Sequence, residues 1–132
     1  MKYLLDTDII IFWLKGSGKI EEKAVSVGLD RIAFSIISKA ELYFGAYNSQ
    51  RVKKNIKNIQ RVSQTLVMVT FDEIAAKNFG KIKSDLTKKG NIIPDADIMI
   101  ASIAKANRLV LVSNNTGHFK RITGLKVENW IK

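Results

Sequence analysis

The sequence predicts an α/β domain with a mainly parallel central sheet. Short apolar segments suited to buried strands alternate with longer segments of helical period. The segments KYLLD at residues 2–6 and LVLVS at residues 109–113 are apolar along nearly their whole length, as expected for strands covered on both faces. The chain has 132 residues, the usual size of one domain, so we expect a single domain over residues 1–132.

Local signals predict the other elements in order. We expect further strands at residues 31–35, 66–69 and 126–129. We expect helices at residues 7–16 (closed by Gly16), 20–27, 38–47, 50–64, 72–88 and 95–106. Ser38 and Asp95 each stand at the start of a helical segment, where a short polar side chain can accept a hydrogen bond from a free backbone N–H. We therefore predict these two residues as N-caps. Asp72 and Glu73 open the segment at residues 72–88, where their negative charge suits the helix dipole.

The composition limits the classes of protein to which the chain can belong. The chain is 46% hydrophobic and 26% charged, which is typical of a globular domain, and it has no apolar run of about 18 residues that would span a membrane. Cysteine is absent, which excludes disulfides and thiolate metal sites and fits a reducing compartment. The N-terminal segment turns acidic by Asp6 and lacks a small-residue cleavage site. We therefore expect a cytoplasmic protein without a membrane partner.

The charge balance favours a polyanionic partner. The formal net charge is +10, from 22 basic and 12 acidic residues, and nucleic acid is the first candidate for such a surface. A lysine-rich surface that serves only solubility is the alternative. The distribution of charge favours nucleic acid, because the basic residues lie mostly in polar stretches. Five acids lie instead in or beside apolar runs: Asp6, Asp8, Glu41, Asp95 and Asp97.

These acids form a candidate site. Asp6 ends a predicted strand, and the functional crevice of a parallel sheet lies at the carboxyl ends of its strands. Asp97 falls in the first turn of an apolar helix, and Glu41 lies in a helix. Their spacing is too wide for a local motif, so the carboxylates can meet only through the fold. A cation would then be needed to neutralise them, and oxygen ligands favour Mg²⁺ or Mn²⁺.

Each of these residues also has a structural interpretation. Asp6 and Asp8 could cap the following helix, Asp97 could complement a helix dipole, and Glu41 could be a partly exposed helix residue. Asn115 could be a turn residue. The lone histidine, His118, precedes Phe119 in a predicted loop, and we interpret it as a structural or surface residue.

Four blocks carry a family resemblance. They are LLDTDIII at residues 4–11, FSIISKAELYFGA at residues 34–46, IPDADIMIASIA at residues 93–104 and LVLVSNNTGHF at residues 109–119. Together, in this order and over nearly the whole chain, they resemble PIN-domain ribonucleases, most closely the VapC-like toxins of type II toxin–antitoxin systems. The resemblance implies a PIN-like three-layer α/β/α domain. It also implies a metal-dependent endoribonuclease that uses Mg²⁺, with Mn²⁺ as a substitute.

The resemblance also implies roles for single residues. Asp6, Glu41 and Asp97 match the three catalytic acids, with Asp6 and Asp97 holding the metal and Glu41 completing its shell directly or through water. Asn115 matches a fourth catalytic position, where it would hydrogen-bond a water or a phosphate oxygen. Because Asn115 is uncharged, the number of metal ions stays open. The supporting residues of the site are Thr7, Asp8, Asp95 and Ser113, of which Asp95 has no role fixed by the pattern.

The partners implied by the resemblance are an RNA substrate, a cognate antitoxin protein and a second copy of the chain in a homodimer. A basic helix is the candidate RNA contact, since Lys54, Lys57 and Arg61 share one stripe by helical spacing. A solvated charged face is the alternative. The opposing apolar side contains Val52, Ile56 and Ile59. The run IIIFWL at residues 9–14 offers apolar surface that a partner could cover, with a role in the core as the alternative.

Two other functions are compatible with parts of the sequence. The chain could be a non-catalytic, regulatory PIN domain that binds RNA through its basic charge. The segment DTDII at residues 6–10 also loosely fits the opening of haloacid-dehalogenase-type phosphatases, where Asp6 would be a nucleophile and Asp8 an acid/base. Ile10 stands where that motif has Thr or Val.

Overall fold

A five-stranded parallel sheet forms the centre of the molecule in a computed structural model that describes residues 1–131. The strand order is β3-β2-β1-β4-β5, and every neighbouring pair is parallel. The strands are β1 (Tyr3–Leu5), β2 (Ile32–Ser35), β3 (Val67–Val69), β4 (Val110–Val112) and β5 (Val127–Glu128). The predicted α/β fold with a mainly parallel sheet is therefore confirmed. The predicted domain end at Lys132 lies outside the described residues.

Helices cover both faces of this sheet and complete a three-layer domain. They are α1 (Thr7–Leu14), α2 (Gly18–Val27), α3 (Ile36–Tyr47), α4 (Val52–Thr65), α5 (Glu73–Lys88), α6 (Asp95–Ala106) and α7 (Thr116–Phe119). A single 3-10 turn, Leu29–Arg31, leads into β2. The four-residue α7 falls where the sequence predicted a loop. Within residues 1–131, none of the helices has both the length and the apolar character needed to cross a membrane.

Two hydrophobic cores lie on opposite faces of the sheet, because side chains alternate along each strand. Leu4 of β1 packs in one core with its register partners Ala33 and Leu111 and with buried residues of α5 and α6. Leu5 packs in the other core with its register partners Phe34 and Val112, together with residues of α1 to α4. Burial on both faces explains why these strands are uniformly apolar.

The strand register places three polar residues side by side. Leu5 is in register with Phe34 on one side and Val112 on the other, so the next residues along the three strands are Asp6, Ser35 and Ser113. The backbone N–H of Asp6 donates to the carbonyl of Val112 at 2.8 Å, which extends the pairing by one residue. The carboxyl edge of the central strands is therefore polar and buried, while the strands themselves are apolar.

Both predicted N-caps, Ser38 and Asp95, are wrong. The N-cap of α3 is Ser35, whose Oγ accepts from the N–H of Ser38 at 3.0 Å, because the chain turns from β2 directly into the helix. The N-cap of α6 is Pro94, which is extended (φ −57°, ψ 143°), so that Asp95 is already the first helical residue. Asp72, which we expected to open its helix, is the N-cap of α5, and its carboxylate accepts from the N–H of Ala75 at 2.9 Å.

Candidate active site

Asp6 is the most buried acid of the candidate site. It follows β1 and caps α1, and its carboxylate accepts from the N–H of Thr7 and from Oγ of Ser113, each at 2.8 Å. The residue is only 5% exposed. Burial, and then the negative charge of Asp8, raise the pKa of Asp6 to about 7, against the lowering effect of the two hydrogen bonds. The capping interpretation of Asp6 therefore holds, and the same carboxylate carries a strongly perturbed pKa.

Asp8 lies in the first turn of α1, and one of its two carboxylate oxygens has no hydrogen-bond partner within the described residues. Its Oδ2 accepts from the backbone N–H of Asn114 at 3.1 Å. Its Oδ1 is buried and has no hydrogen-bond partner within the described residues. Burial is the largest cause of the raised pKa of Asp8, and the charge of Asp97 adds to it. A buried carboxylate oxygen without a partner is costly, and such an atom is a candidate ligand for a cation.

Asp97 brings the third carboxylate to this edge of the sheet. It lies in the first turn of α6, and its negative charge raises the pKa of both Asp6 and Asp8. Its Oδ2 lies 2.9 Å from Nδ1 of His118. Asp6 at the end of β1, Asp8 at the start of α1 and Asp97 at the start of α6 thus interact electrostatically in a partly buried space.

Glu41 joins the site through Thr7. Thr7 Oγ1 donates to Glu41 Oε1 at 2.7 Å and lies 2.9 Å from Ser38 Oγ. A hydroxyl has a single proton, so the proton in the second contact comes from Ser38. Ser38 in turn lies against Ser35, and both serines are fully buried. A chain of hydroxyls therefore fixes the position of Glu41 from the end of β2 and the start of α1, although Glu41 itself is exposed.

The carboxylate oxygens available at this edge of the sheet fit a hydrated divalent cation. Within residues 1–131, no three acidic or histidine side chains are already close enough to form a metal-binding group. The carboxylates of Asp8 and Asp97 are nevertheless close enough to raise the pKa of Asp6, and that of Asp97 is close enough to raise the pKa of Asp8. Mg²⁺ keeps several waters and needs only one or two protein carboxylates, so a complete protein cage is not required. The orphaned Asp8 Oδ1 and the oxygen-only ligands are consistent with such an ion.

Two of the predicted site residues that are not acids also lie at this edge. Ser113 is fully buried, donates to Asp6, and accepts from the backbone N–H of Asn115 at 2.9 Å. The side chain of Asn115 lies 2.8 Å from His118 Nδ1. Asn115 is also the N-cap position of α7, but its side chain makes no capping hydrogen bond.

Asp95 does not belong to this group. Its carboxylate pairs with Lys83 of α5 at 3.0 Å, and the two side chains are 55% and 49% exposed. Asp95 and Asp97 are two residues apart on α6, so their side chains point in different directions. The prediction of Asp95 as a supporting residue of the site is therefore not borne out by its contacts.

His118 is the residue that sequence reasoning missed. We interpreted it as a structural or surface residue, yet its ring lies against Asp97 and Asn115. The sequence feature that could have indicated a place at the site is the spacing of His118 from Asn115. Residues three apart share a face of a helix, so a short helix after β4 brings both side chains to the same edge of the sheet.

The predicted basic stripe on α4 is present and exposed. Lys54, Lys57 and Arg61 line one shallow cavity together with Lys53 and Asn58, with no acidic residue among its lining. Ile59 is buried, and Val52 and Ile56 are half-buried. The helix is therefore amphipathic as predicted, and its basic side faces solvent.

Comparisons with known proteins place the chain in a family. The PIN domain family model matches residues 3–125. Ribonuclease VapC2 of Haemophilus influenzae is 36% identical over 131 residues, covering 99% of both chains. The tRNA(fMet)-specific endonuclease VapC of Shigella flexneri is 31% identical over 130 residues, covering 98% of both.

Solved structures agree with these matches. The matched chain of the DNA-bound VapBC structure from Salmonella typhimurium superposes with a TM-score of 0.94 at 33% identity, and the match covers 98% of both chains. VapBC-1 from Haemophilus influenzae gives a TM-score of 0.90 at 34% identity, with 100% of both chains covered. The chain therefore belongs to the PIN domain family and, within it, to the VapC ribonucleases. This membership does not support the phosphatase alternative for Asp6 and Asp8.

Proposed function

We propose that this chain is a Mg²⁺-dependent endoribonuclease that acts as the toxin of a type II toxin–antitoxin pair and hydrolyses RNA phosphodiester bonds. One observation carries the proposal. Three carboxylates, those of Asp6, Asp8 and Asp97, interact electrostatically at the carboxyl edge of the sheet, where the pKa of Asp6 is raised to about 7 and one oxygen of Asp8 has no partner within residues 1–131. A divalent cation relieves both costs at once, because it pairs with the negative charge and supplies the missing contact.

The side chains take distinct roles in this proposal. Asp6 and Asp97 hold the metal, and Asp8 adds its free oxygen or balances the charge. Glu41 is oriented by Thr7 and accepts a hydrogen bond from the attacking water, while the amide of Asn115 contacts the phosphate. When bound, Mg²⁺ would lower the pKa of water and stabilise negative charge on the phosphate. Ser113 favours the ionised form of Asp6 by donating to its carboxylate, which opposes the rise in its pKa.

RNA as the substrate is supported by the charge of the chain and by the names of its relatives. The formal net charge is +10, and the basic stripe of Lys54, Lys57 and Arg61 is exposed. The relatives are named as ribonucleases, and the Shigella flexneri protein as specific for tRNA(fMet). We therefore propose that the basic stripe contacts RNA phosphates outside the cleaved bond and that tRNAs are the first substrates to test.

An antitoxin partner is supported by the VapBC complexes among the structural neighbours. The chain offers a groove of about 350 Å³ lined by residues of α1, α3 and α4, among them Ile11, Leu14, Leu42 and Ile59. Ile11 and Phe12 are 38% and 39% exposed, so only the middle of the run IIIFWL is surface; Ile9 and Ile10 are in the core, and Trp13 and Leu14 pack half-buried against it. Glu41 also lines this groove, so an antitoxin seated there would lie beside the candidate site. A homodimer remains a prediction that rests on the family resemblance.

Cleavage of RNA by the purified chain, free of antitoxin, tests the enzymatic part of the proposal. Total RNA and single tRNAs are incubated with Mg²⁺, with Mn²⁺ and with EDTA. We expect discrete cuts that require the metal. The absence of cuts in a sample that binds both Mn²⁺ and RNA would favour the alternative of a non-catalytic RNA-binding PIN domain.

Expression in a bacterial host tests the toxin part. Induced expression of the wild-type chain without an antitoxin is expected to arrest growth, and the Asp97→Asn variant at equal protein level is expected not to. Growth that continues at the uninduced rate with the wild-type chain would contradict a role as a toxin.

A further inference from the structure

We propose that His118 is a positioning residue for Asp97: the Nδ1–H group of its imidazole donates to Asp97 Oδ2 and holds that carboxylate in the orientation that presents its other oxygen to the cation. The contact rests on a nitrogen–oxygen distance of 2.9 Å. The inference builds on the proposed metal site and adds a residue whose part neither the sequence motifs nor the family match defined.

Nδ1 of His118 has two polar neighbours, and it can make a favourable contact with both only if it carries a proton. Nδ1 lies 2.9 Å from Asp97 Oδ2 and 2.8 Å from the amide nitrogen of Asn115. If Nδ1 were unprotonated it could accept from the amide, but its lone pair would then face an anionic oxygen. An ionised carboxylate can only accept, so Nδ1 must carry the proton.

The amide of Asn115 is then turned relative to the ring. Its oxygen and nitrogen have nearly the same shape, and their assignment follows from the hydrogen-bond network. With Nδ1 protonated, Oδ1 of Asn115 faces the ring and shares the proton with Asp97, and the NH₂ group faces away. This orientation leaves two N–H donors of Asn115 free for a phosphate oxygen, which agrees with the role proposed for that residue.

The surrounding structure holds the imidazole in place. Phe119, the next residue, is fully buried and anchors α7 in the core shared with α6. The N–H of His118 donates to the carbonyl of Asn115, and Asn115 is tied to Ser113 through its own N–H. Within residues 1–131, the contact with His118 is the one hydrogen bond made by the carboxylate of Asp97, whose side chain is 18% exposed. Without the imidazole, that carboxylate would be free to rotate.

The expected consequence is a change in metal affinity. Groups that orient the ligands of a metal typically change its affinity by about 10- to 100-fold when they are removed. The His118→Ala variant is therefore expected to bind Mn²⁺ that much more weakly while it still folds and unfolds in one cooperative transition. In the His118→Asn variant the side-chain amide nitrogen can occupy the place of Nδ1, so most of the affinity should return. Lys120→Ala, at the exposed end of α7, is the matched control.

The experiment measures Mn²⁺ binding to the full, antitoxin-free chain by calorimetry and by the EPR signal of free Mn²⁺. Equal affinities for wild type and His118→Ala would overturn the proposal, and so would a failure of His118→Asn to recover affinity. Direct nitrogen coupling to bound Mn²⁺ in pulsed EPR would make His118 a ligand and also overturn it. If the wild-type chain binds no Mn²⁺, the proposed metal site itself fails, and the inference about its ligand fails with it.

A second measurement tests the hydrogen bond without any metal. His118 is the single histidine of the chain, so its ring gives one unambiguous set of nitrogen resonances. In ¹⁵N-labelled, metal-free protein we expect the chemical shift of a protonated Nδ1. The shift of an unprotonated Nδ1 would contradict the hydrogen bond to Asp97, whatever the outcome for cleavage or metal binding.

Discussion

Ser113 Oγ donates a 2.8 Å hydrogen bond to Asp6 Oδ2 and so joins two residues that are 107 positions apart in the chain. The contact follows from the register of two neighbouring parallel strands, in which Leu5 is paired with Val112. It is buried, and it lowers the pKa of a carboxyl group that burial and the charge of Asp8 raise. The sheet thus provides both the position of Asp6 and part of its ionisation at neutral pH.

Replacing Ser113 with Ala is expected to destabilise the folded chain and to raise the pKa of Asp6 further. A hydrogen bond to a charged group contributes about 1.5–3 kcal/mol, and its loss leaves a buried carboxylate oxygen without a partner. Urea unfolding of the metal-free protein at pH 8 measures the effect. Ser26→Ala is the control, since Ser26 is exposed and bonds only within its own helix. Equal free energies of unfolding for the two variants would contradict this role of Ser113.

The raised pKa of Asp6 makes the stability of the metal-free chain depend on pH. The group has a pKa of about 7 in the folded state and 3.8 as its ordinary value, so the folded state binds more protons between these two values. Its contribution to stability is therefore complete below pH 3.8 and is lost as the pH rises through about 7. The raised pKa of Asp8 acts in the same direction. We expect the unfolding free energy in EDTA to fall between pH 5 and pH 8 by on the order of several kcal/mol at most.

The Asp6→Asn variant tests this assignment, because an amide resembles the protonated carboxyl and does not titrate. The fall in unfolding free energy with pH should be much smaller in this variant than in the wild type. Asp30→Asn, at an exposed position, is the control and should keep the wild-type pH dependence. The same pH dependence in Asp6→Asn and in the wild type would show that other groups cause it.

Thr7 is expected to affect catalysis through Glu41. Thr7→Val removes the hydroxyl that donates to Glu41 and keeps the shape of the side chain, so Glu41 is no longer held in one orientation. We expect RNA cleavage at saturating Mg²⁺ to slow by about 10-fold or more, in line with the loss of an orienting contact. Thr7→Ser keeps the hydroxyl and should retain most of the rate. Full activity in Thr7→Val would mean that Glu41 does not depend on this hydrogen bond.

The basic stripe on α4 is expected to contribute to RNA affinity through phosphate contacts. Replacing Lys57 with Gln should weaken binding to all RNAs alike and reduce the slope of log affinity against log salt by about 1. Fluorescence anisotropy at several salt concentrations measures both effects. Lys23→Gln, on α2, removes the same charge at another exposed position. An equal loss of slope in the two variants would show that only net charge matters.

The sequence predicted the order and type of nearly every element, because apolar strands and capped helices are encoded locally. It also predicted that Asp6 and Ser113 lie at one edge of the sheet, since the ends of neighbouring parallel strands share that edge. The place of Asp97 beside them was implied by the family resemblance, because Asp97 lies at the start of a helix. Whether Ser35 or Ser38 caps α3 was not predictable, because the two serines differ only in how far β2 runs before the helix begins.

Two contacts that the sequence did not predict join segments that are distant along the chain. Asp95 pairs with Lys83, a residue of the preceding helix, and nothing in the local sequence distinguishes this ion pair from a cap. His118 contacts Asp97, which is 21 positions away, through a four-residue helix that is too short to have a clear periodic pattern. Such contacts require the packing of α5, α6 and α7 to be known.

A comparison of Asp97→Asn with Asp95→Asn tests the central claim most directly. The two variants remove the same charge from the same turn of α6, but Asp97 interacts with Asp6 and Asp8, while Asp95 pairs with Lys83 at the surface. Cleavage of the tRNA that the wild type cuts is measured at saturating Mg²⁺. The account predicts that the cleavage rate of Asp97→Asn falls by at least about 100-fold, because removal of one charge-stabilising group from an active site has an effect of that size. It predicts that Asp95→Asn stays near the wild-type rate. Equal activity in the two variants, or full cleavage by Asp97→Asn, would contradict an active site at this edge of the sheet.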